Sequence, residues 1–215
     1  MIKGPAIMLL AILSSTPAMA ETLSLSPMFK EAGEVWGVSA DLTRAIAGVE
    51  SGLSPWVLNI EGKGYAFDSK EEAVKKAREA EAAGRSFDSG LMQVNNSWLD
   101  KYGIPLEAAF DPLANIYLGS WILRQEINRY GRTWQAVGSY HSPDVGKGRQ
   151  YAELVKKALE RSPAKIKSGH KTARQAVVRN YPDLSPMVVS RRDRQIGGRT
   201  LDDGYFVKRL NGGKQ

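Results

Sequence analysis

Glu50 stands in the run Ala45-Ile46-Ala47-Gly48-Val49-Glu50-Ser51-Gly52, where a stretch of apolar side chains ends at a glycine. A carboxyl group with such neighbours is a candidate general acid. Burial disfavours its charged form and raises its pKa, so it still holds a proton at neutral pH. A lone glutamate near a helix C-terminus is more often a solvated charge, mildly disfavoured by the helix dipole. The surrounding pattern moves the balance toward chemistry. Leu42, Ala45, Ile46 and Val49 recur at spacings of three and four, one face of a helix with Ser39 as N-cap and Gly52 as its stop. Glu50 adjoins that face.

The elements that must position this acid read as a succession of helices between residues 26 and 160. Ser26-Pro27 supplies an N-cap and first turn for a helix whose Met28, Phe29, Ala32, Val35 and Trp36 face inward, closed by Gly37. Ser69 and Glu72 form a capping box for an alanine-rich surface helix running to Gly84, with Glu71/Lys75 and Glu72/Lys76 as i, i+4 pairs. Asp111-Pro112 opens a core helix with Leu113, Ile116, Tyr117, Ser120, Trp121, Leu123 and Ile127 inward, stopped by Gly131. Thr133 caps a shorter helix through Tyr140, and Asp144 to Leu159 forms a last one with Val145, Tyr151, Leu154, Val155 and Leu159 inward. Two Gly-rich stretches, 59–68 and 85–96, read as irregular, except that Asn59 to Phe67 suits a small hairpin turning between Gly62 and Gly64. The expected fold class is therefore mainly α, with a small β-hairpin insertion.

Composition narrows the chemistry. The first twenty residues read as a secretory signal: Lys3, an apolar run from Ile7 to Leu13, and the small-residue site Ala18-Met19-Ala20. Cleavage after Ala20 leaves 195 residues, with no later run long enough to span a bilayer, and an uncleaved anchor is the alternative. There is no cysteine, so an exported chain must rest on an ordinary hydrophobic core. With only His141 and His170, a structural zinc site or a Cys or Ser–His nucleophile system is disfavoured, and carboxylate chemistry remains. No metal or cofactor is called for. Charge is uneven: residues 161–215 carry 13 Lys plus Arg against 4 Asp plus Glu, whereas the mature chain before them carries 16 against 19. This basic C-terminal extension, with Pro163, Pro182 and Pro186 and few large apolar residues, reads as partly ordered.

Three short segments then stand in order: Glu50-Ser51, Gly90-Leu91-Met92-Gln93-Val94-Asn95, and Gly138-Ser139-Tyr140-His141. Together they resemble the soluble lytic transglycosylase family, which is similar to goose-type lysozyme and falls in glycoside hydrolase family 23. Its signature is a Glu-Ser pair, a Gly-Leu-Met-Gln segment and a downstream Ala-Tyr-Asn. The resemblance spans roughly residues 30 to 155 and looks most like the small members that serve conjugation, secretion and pilus systems. The chain thus divides into the signal at 1–20, a domain at 21–160 for which the resemblance implies a lysozyme-like catalytic fold, and the basic extension at 161–215.

The resemblance implies roles for these residues. Glu50 would act as the only acid and base: it protonates the leaving sugar oxygen, then takes the proton of the muramic acid C6 hydroxyl as that oxygen closes on C1. The product is a 1,6-anhydro sugar. Ser51 either hydrogen-bonds near the sugar N-acetyl group or satisfies a helix-end carbonyl. Gly90 either admits a close-lying glycan or serves as a turn glycine. Met92 and Gln93 would line the cleft, with core packing as the alternative for Met92. Asn95 is a third polar contact or a loop cap. Tyr140 corresponds to the family tyrosine beside the acid, and a satisfied core tyrosine is the competing account. His141 replaces the usual Asn and, able to hydrogen-bond in its place, is a further substrate-binding candidate, and Ser139 replaces the usual Ala.

Two other readings stand beside this one. Asp88, Glu61 or Asp68 would, as a second carboxylate, position water and make the enzyme a hydrolytic muramidase. Alternatively, the protein binds peptidoglycan glycan strands without cutting them, and its basic extension contacts secretion or conjugation components in the periplasm. Arg191-Arg192-Asp193-Arg194 lacks the interleaved aromatics of a single-strand grip, and an export signal also argues against a nucleic-acid partner.

Overall fold

The computed structural model describes residues 25–161. The expected signal and the extension beyond Arg161 lie outside the described residues. The order of elements is α1 (Leu25–Trp36), α2 (Ala40–Ser51), β1 (Val57–Ile60), β2 (Lys63–Ala66), α3 (Lys70–Ala82), β3 (Phe87–Ser89), β4 (Val94–Asn95), α4 (Asn96–Tyr102), α5 (Leu106–Ala109), α6 (Pro112–Tyr130), α7 (Trp134–His141) and α8 (Val145–Arg161). The fold is mainly α, as the periodicity predicts. Ser39, Ser69, Asp111 and Thr133 all cap as expected: each side-chain oxygen accepts from the backbone N–H three residues on. At α1 the helix already includes Ser26.

Helix α6 runs through the core. Ile116 and Leu123 are fully enclosed, and Trp121 takes edge-on contacts from Trp98 at 5.3 Å and Tyr102 at 4.9 Å. These rings clamp α4 onto α6. Helix α3 lies on the outside, as its composition suggests, and buries a stripe of Ala73, Ala77 and Ala80. Lys76 pairs with Glu79 at 2.8 Å rather than with Glu72, an exposed contact worth little either way.

The structure departs from the sequence reading in three places. In α8, Val145 and Leu154 are exposed. The inward stripe is Gly148, Tyr151, Ala152 and Val155, and Leu154 falls one residue, about 100° of rotation, off it. The hairpin turns at Glu61-Gly62, both with positive φ, so that Ile60 pairs with Lys63. This two-residue turn matches the twist of the flanking strands, and Asn59 Oδ1 accepts from Gly62 N–H at 2.8 Å. Finally, the stretch 85–96 is not irregular. It holds β3 and β4, completing a four-stranded antiparallel sheet of order β2-β1-β3-β4. Strands of three and two residues show no alternation; β3 exists because β1 offers it a partner edge, with Leu58 opposite Ser89 and Ile60 opposite Phe87.

The loop between β3 and β4 turns at Gly90, whose φ is +75°. A Cβ there would lie 2.3 Å from the Ala109 carbonyl oxygen and 2.5 Å from Asn115 Nδ2. Gly84 has a similar φ of +65° with nothing within 4 Å. Gly90→Ala should therefore cost about 2–4 kcal/mol, from strain plus overpacking, and Gly84→Ala only about 1–2 kcal/mol from strain alone. Urea unfolding of both variants checks this, and equal losses would count against the packing account.

Candidate active site

Glu50 sits in the last turn of α2, which Gly52 ends in the left-handed conformation with its N–H on the Ala47 and Gly48 carbonyls. Ala45, Ile46 and Ala47 anchor that turn in the core, and the Glu50 side chain is only 12% exposed. Removal from water is the largest influence on its carboxyl and pushes its pKa up to about 7. The Tyr151 hydrogen bond opposes this, and the negative charge of Asp88 reinforces it. The Tyr151 hydroxyl donates to Glu50 Oε1 at 2.6 Å, a short, charge-assisted contact when the carboxyl is ionised. Burial first, then the charge of Glu50, drives the Tyr151 phenol far above its usual range, so it remains a donor.

Tyr151 and His141 come from two helices that cross in backbone contact. A Cβ on Gly138 of α7 would lie 2.6 Å from the Gly148 carbonyl oxygen of α8. Three residues further along each helix, the His141 and Tyr151 rings stack with centroids 4.5 Å apart and planes 4° from parallel. His141 Nδ1 lies 3.9 Å from Glu50 Oε1, outside hydrogen-bond range.

The segment from Gly90 to Gln93 joins the other site residues, chiefly through its backbone. Ser51 Oγ donates to the Leu91 carbonyl at 2.8 Å and approaches the Ala47 carbonyl at 3.1 Å. It thus satisfies the helix end and also ties α2 to the loop. Met92 is fully buried and packs on Gly119 of α6. Its thioether occupies the core rather than the expected cleft wall, because α6 approaches too closely to leave an opening there. Its carbonyl accepts from the Tyr140 hydroxyl at 2.7 Å. Tyr140 therefore points at the loop; burial, then the charges of Glu50 and Asp88, raise its pKa. Gln93 has a φ of +45°, and its Nε2 donates to the Gly90 carbonyl at 2.9 Å and the Val57 carbonyl at 3.2 Å. Asn95 caps α4 by accepting from Ser97 N–H at 3.0 Å, and its Nδ2 donates to Asp88 Oδ1 at 2.9 Å. Gly90 packs against protein, as described above.

Of the three further carboxylates, Asp88 alone acts on Glu50. It is half-buried, and desolvation raises its pKa against the Asn95 bond and the charge of His141. Glu61 is exposed at the hairpin turn and pairs with Arg85 at 2.9 Å, and Asp68 is exposed ahead of α3. Sequence reasoning missed two residues. Tyr151 reads as one more core aromatic. Asn115 is buried in α6, where its Oδ1 accepts from Met92 N–H at 2.7 Å and its Nδ2 donates to the Ser89 and Ala109 carbonyls at 2.9 and 2.8 Å. An amide between Leu113 and Ile116, on an otherwise apolar face, was the signal available.

A mainly helical domain with a small antiparallel sheet, built around a buried acid, defines the lysozyme-like class. The chain belongs to the family of the Transglycosylase SLT domain, whose family model matches residues 27–160. A peptidoglycan-binding-like protein of Escherichia coli O157:H7 is 32% identical over 140 residues, covering 60% of this chain and 74% of that protein. The type IV secretion system protein virB1 of Brucella abortus biovar 1 is 39% identical over 94 residues, 43% of this chain and 40% of its own length. Protein IpgF of Shigella sonnei is 27% identical over 157 residues, 69% of this chain and 90% of its own. No solved structure gives a significant match.

The raised pKa has a consequence for stability. Because the folded value of about 7 exceeds the ordinary 4.5, the contribution of Glu50 is fully present below about pH 4.5 and lost as pH rises through 7. Glu50→Gln should therefore stabilise the protein at pH 8 by up to about 3 kcal/mol and change little at pH 4. Urea unfolding at both pH values checks this, and a pH-independent effect would show that the carboxyl is solvated.

Proposed function

We propose that this protein is an exported peptidoglycan lytic transglycosylase that cleaves the β-1,4 bond between MurNAc and GlcNAc and leaves 1,6-anhydro-MurNAc ends. The observation that carries this reading is Glu50: a carboxyl in an SLT domain, removed from water until its pKa approaches 7, with one oxygen held by Tyr151. That poise suits a group that must be acid and then base in one turnover.

The protonated carboxyl gives its proton to the glycosidic oxygen as the bond from C1 breaks. The resulting carboxylate removes the proton from the C6 hydroxyl while that oxygen bonds to C1. No water is consumed, and Glu50 ends protonated, as it began. Oε1 is engaged by Tyr151, so Oε2 carries the proton in both steps. Family membership and the name of the virB1 relative, a type IV secretion system protein, support a role in opening the wall locally for an envelope-spanning secretion machine, with the periplasm as the proposed location. The basic extension is the proposed contact with that machine.

Asp88 favours one second reading. A carboxylate that acts on Glu50 is also placed to orient water, which would make the product a hydrolysed, reducing muramic end. Mass spectrometry of digested sacculi separates the two, since anhydro ends are one water lighter; predominantly reducing ends would replace the transglycosylase reading with the muramidase one. Glu50→Gln keeps the shape of the side chain but has no transferable proton, and should lower cleavage at least about a hundredfold. Near-normal activity would show that another group is the acid. Retention of sacculi by wild type and variant without cleavage by either would favour a binding protein.

A further inference from the structure

We propose that His141 is a positioning residue for the acid: its ring, stacked on Tyr151, fixes the phenol that holds Glu50. The proposal rests on the reading of Glu50 as the acid and deepens it.

Three observations carry it. The rings of His141 and Tyr151 lie 4.5 Å apart and 4° from parallel, and the Tyr151 hydroxyl donates to Glu50 Oε1 at 2.6 Å. Rotation of the phenol about its side-chain torsions would swing that hydroxyl off the carboxylate, and a ring against its face blocks the rotation. The backbone contact between Gly138 and Gly148 places the two rings in register, each three residues beyond its glycine. The helices thus approach closely just where the stack begins, and any side chain at Gly138 would force them apart. Finally, His141 acts on the acid through the stack and not by a hydrogen bond of its own, since Nδ1 stands 3.9 Å from Oε1. The side chain is 49% exposed, so burial in the core does not account for its orientation. The Asn that the family resemblance leads one to expect at this position has no ring to stack.

The titratable groups that face Glu50 are Tyr151 from α8, His141 and Tyr140 from α7, and Asp88 from β3. A useful test must therefore separate the ring of His141 from its charge. His141→Phe and His141→Ala both remove the imidazole nitrogens and differ only in the ring. With soluble peptidoglycan strands as substrate, H141F should keep a kcat near wild type, while H141A should lose about tenfold in kcat with KM little changed. In a Tyr151→Phe background, which removes the hydroxyl, H141A should have almost no further effect. A 13C titration of the Glu50 carboxyl in the full chain reads the same geometry without activity: the midpoint should differ between H141A and H141F, and that difference should shrink in the Y151F background, where no hydroxyl is left to misplace. Equal behaviour of H141A and H141F, a loss confined to KM, or a full H141A effect in the Y151F background would overturn the proposal. If Glu50→Gln retained cleavage, the reading of Glu50 as the acid would fall, and the titration would still decide the role of His141.

Discussion

A single buried amide holds this site together. Asn115 extends from the core helix and spends both of its N–H groups and its carbonyl on backbone: the end of β3, the end of α5 and the N–H of Met92. In a water-free interior an unmade hydrogen bond of this kind costs about 1–3 kcal/mol, so the loop from Gly90 to Gln93 has one low-energy course. That course decides the rest. The Leu91 and Met92 carbonyls it presents take the hydroxyls of Ser51 and Tyr140, which come from two different helices. Several residues that resemblance assigns to sugar contacts thus have a first duty to the protein itself.

The second constraint is the acid. Keeping Glu50 out of water raises its pKa and destabilises the folded chain at alkaline pH, a conflict between stability and chemistry that is common where a group must hold its proton. The structure limits the cost without removing it. Tyr151 gives the carboxylate one strong donor, while desolvation and Asp88 push the other way and together outweigh it. The glycine contact between α7 and α8 belongs to the same compromise, since it brings an aromatic hydroxyl to a carboxyl from the far end of the domain.

Much of this is legible in the sequence. Helix caps are local: Ser39, Ser69, Asp111 and Thr133 each find their partner three residues away, so spacing alone identifies them. The broad apolar face of α6 announces a core helix for the same reason. The strands β3 and β4 were hidden because a pairing of two or three residues leaves no period to read, and short α4 and α5 gave no repeat either. Leu154 illustrates the opposite failure. Its type suggests burial, but the direction of the inward face was set by backbone contact at Gly148, a residue with no side chain to register in a hydrophobic pattern.

By itself, the sequence determined the helical class, the punctuation of the main helices, the candidate acid and the three segments that connect it with a family. Only the tertiary structure decided what the acid touches. Tyr151 lies 101 residues beyond Glu50, and in sequence its ring is indistinguishable from core packing. Whether a buried tyrosine points its hydroxyl at a carboxylate or at a carbonyl depends on how two helices cross. Periodicity reports which way a side chain faces its own helix axis; it carries no information about which polar group waits across the interface. That is why Tyr140 and Tyr151, alike in type and both packed on the core, end on different partners, the first holding the loop and the second holding the acid.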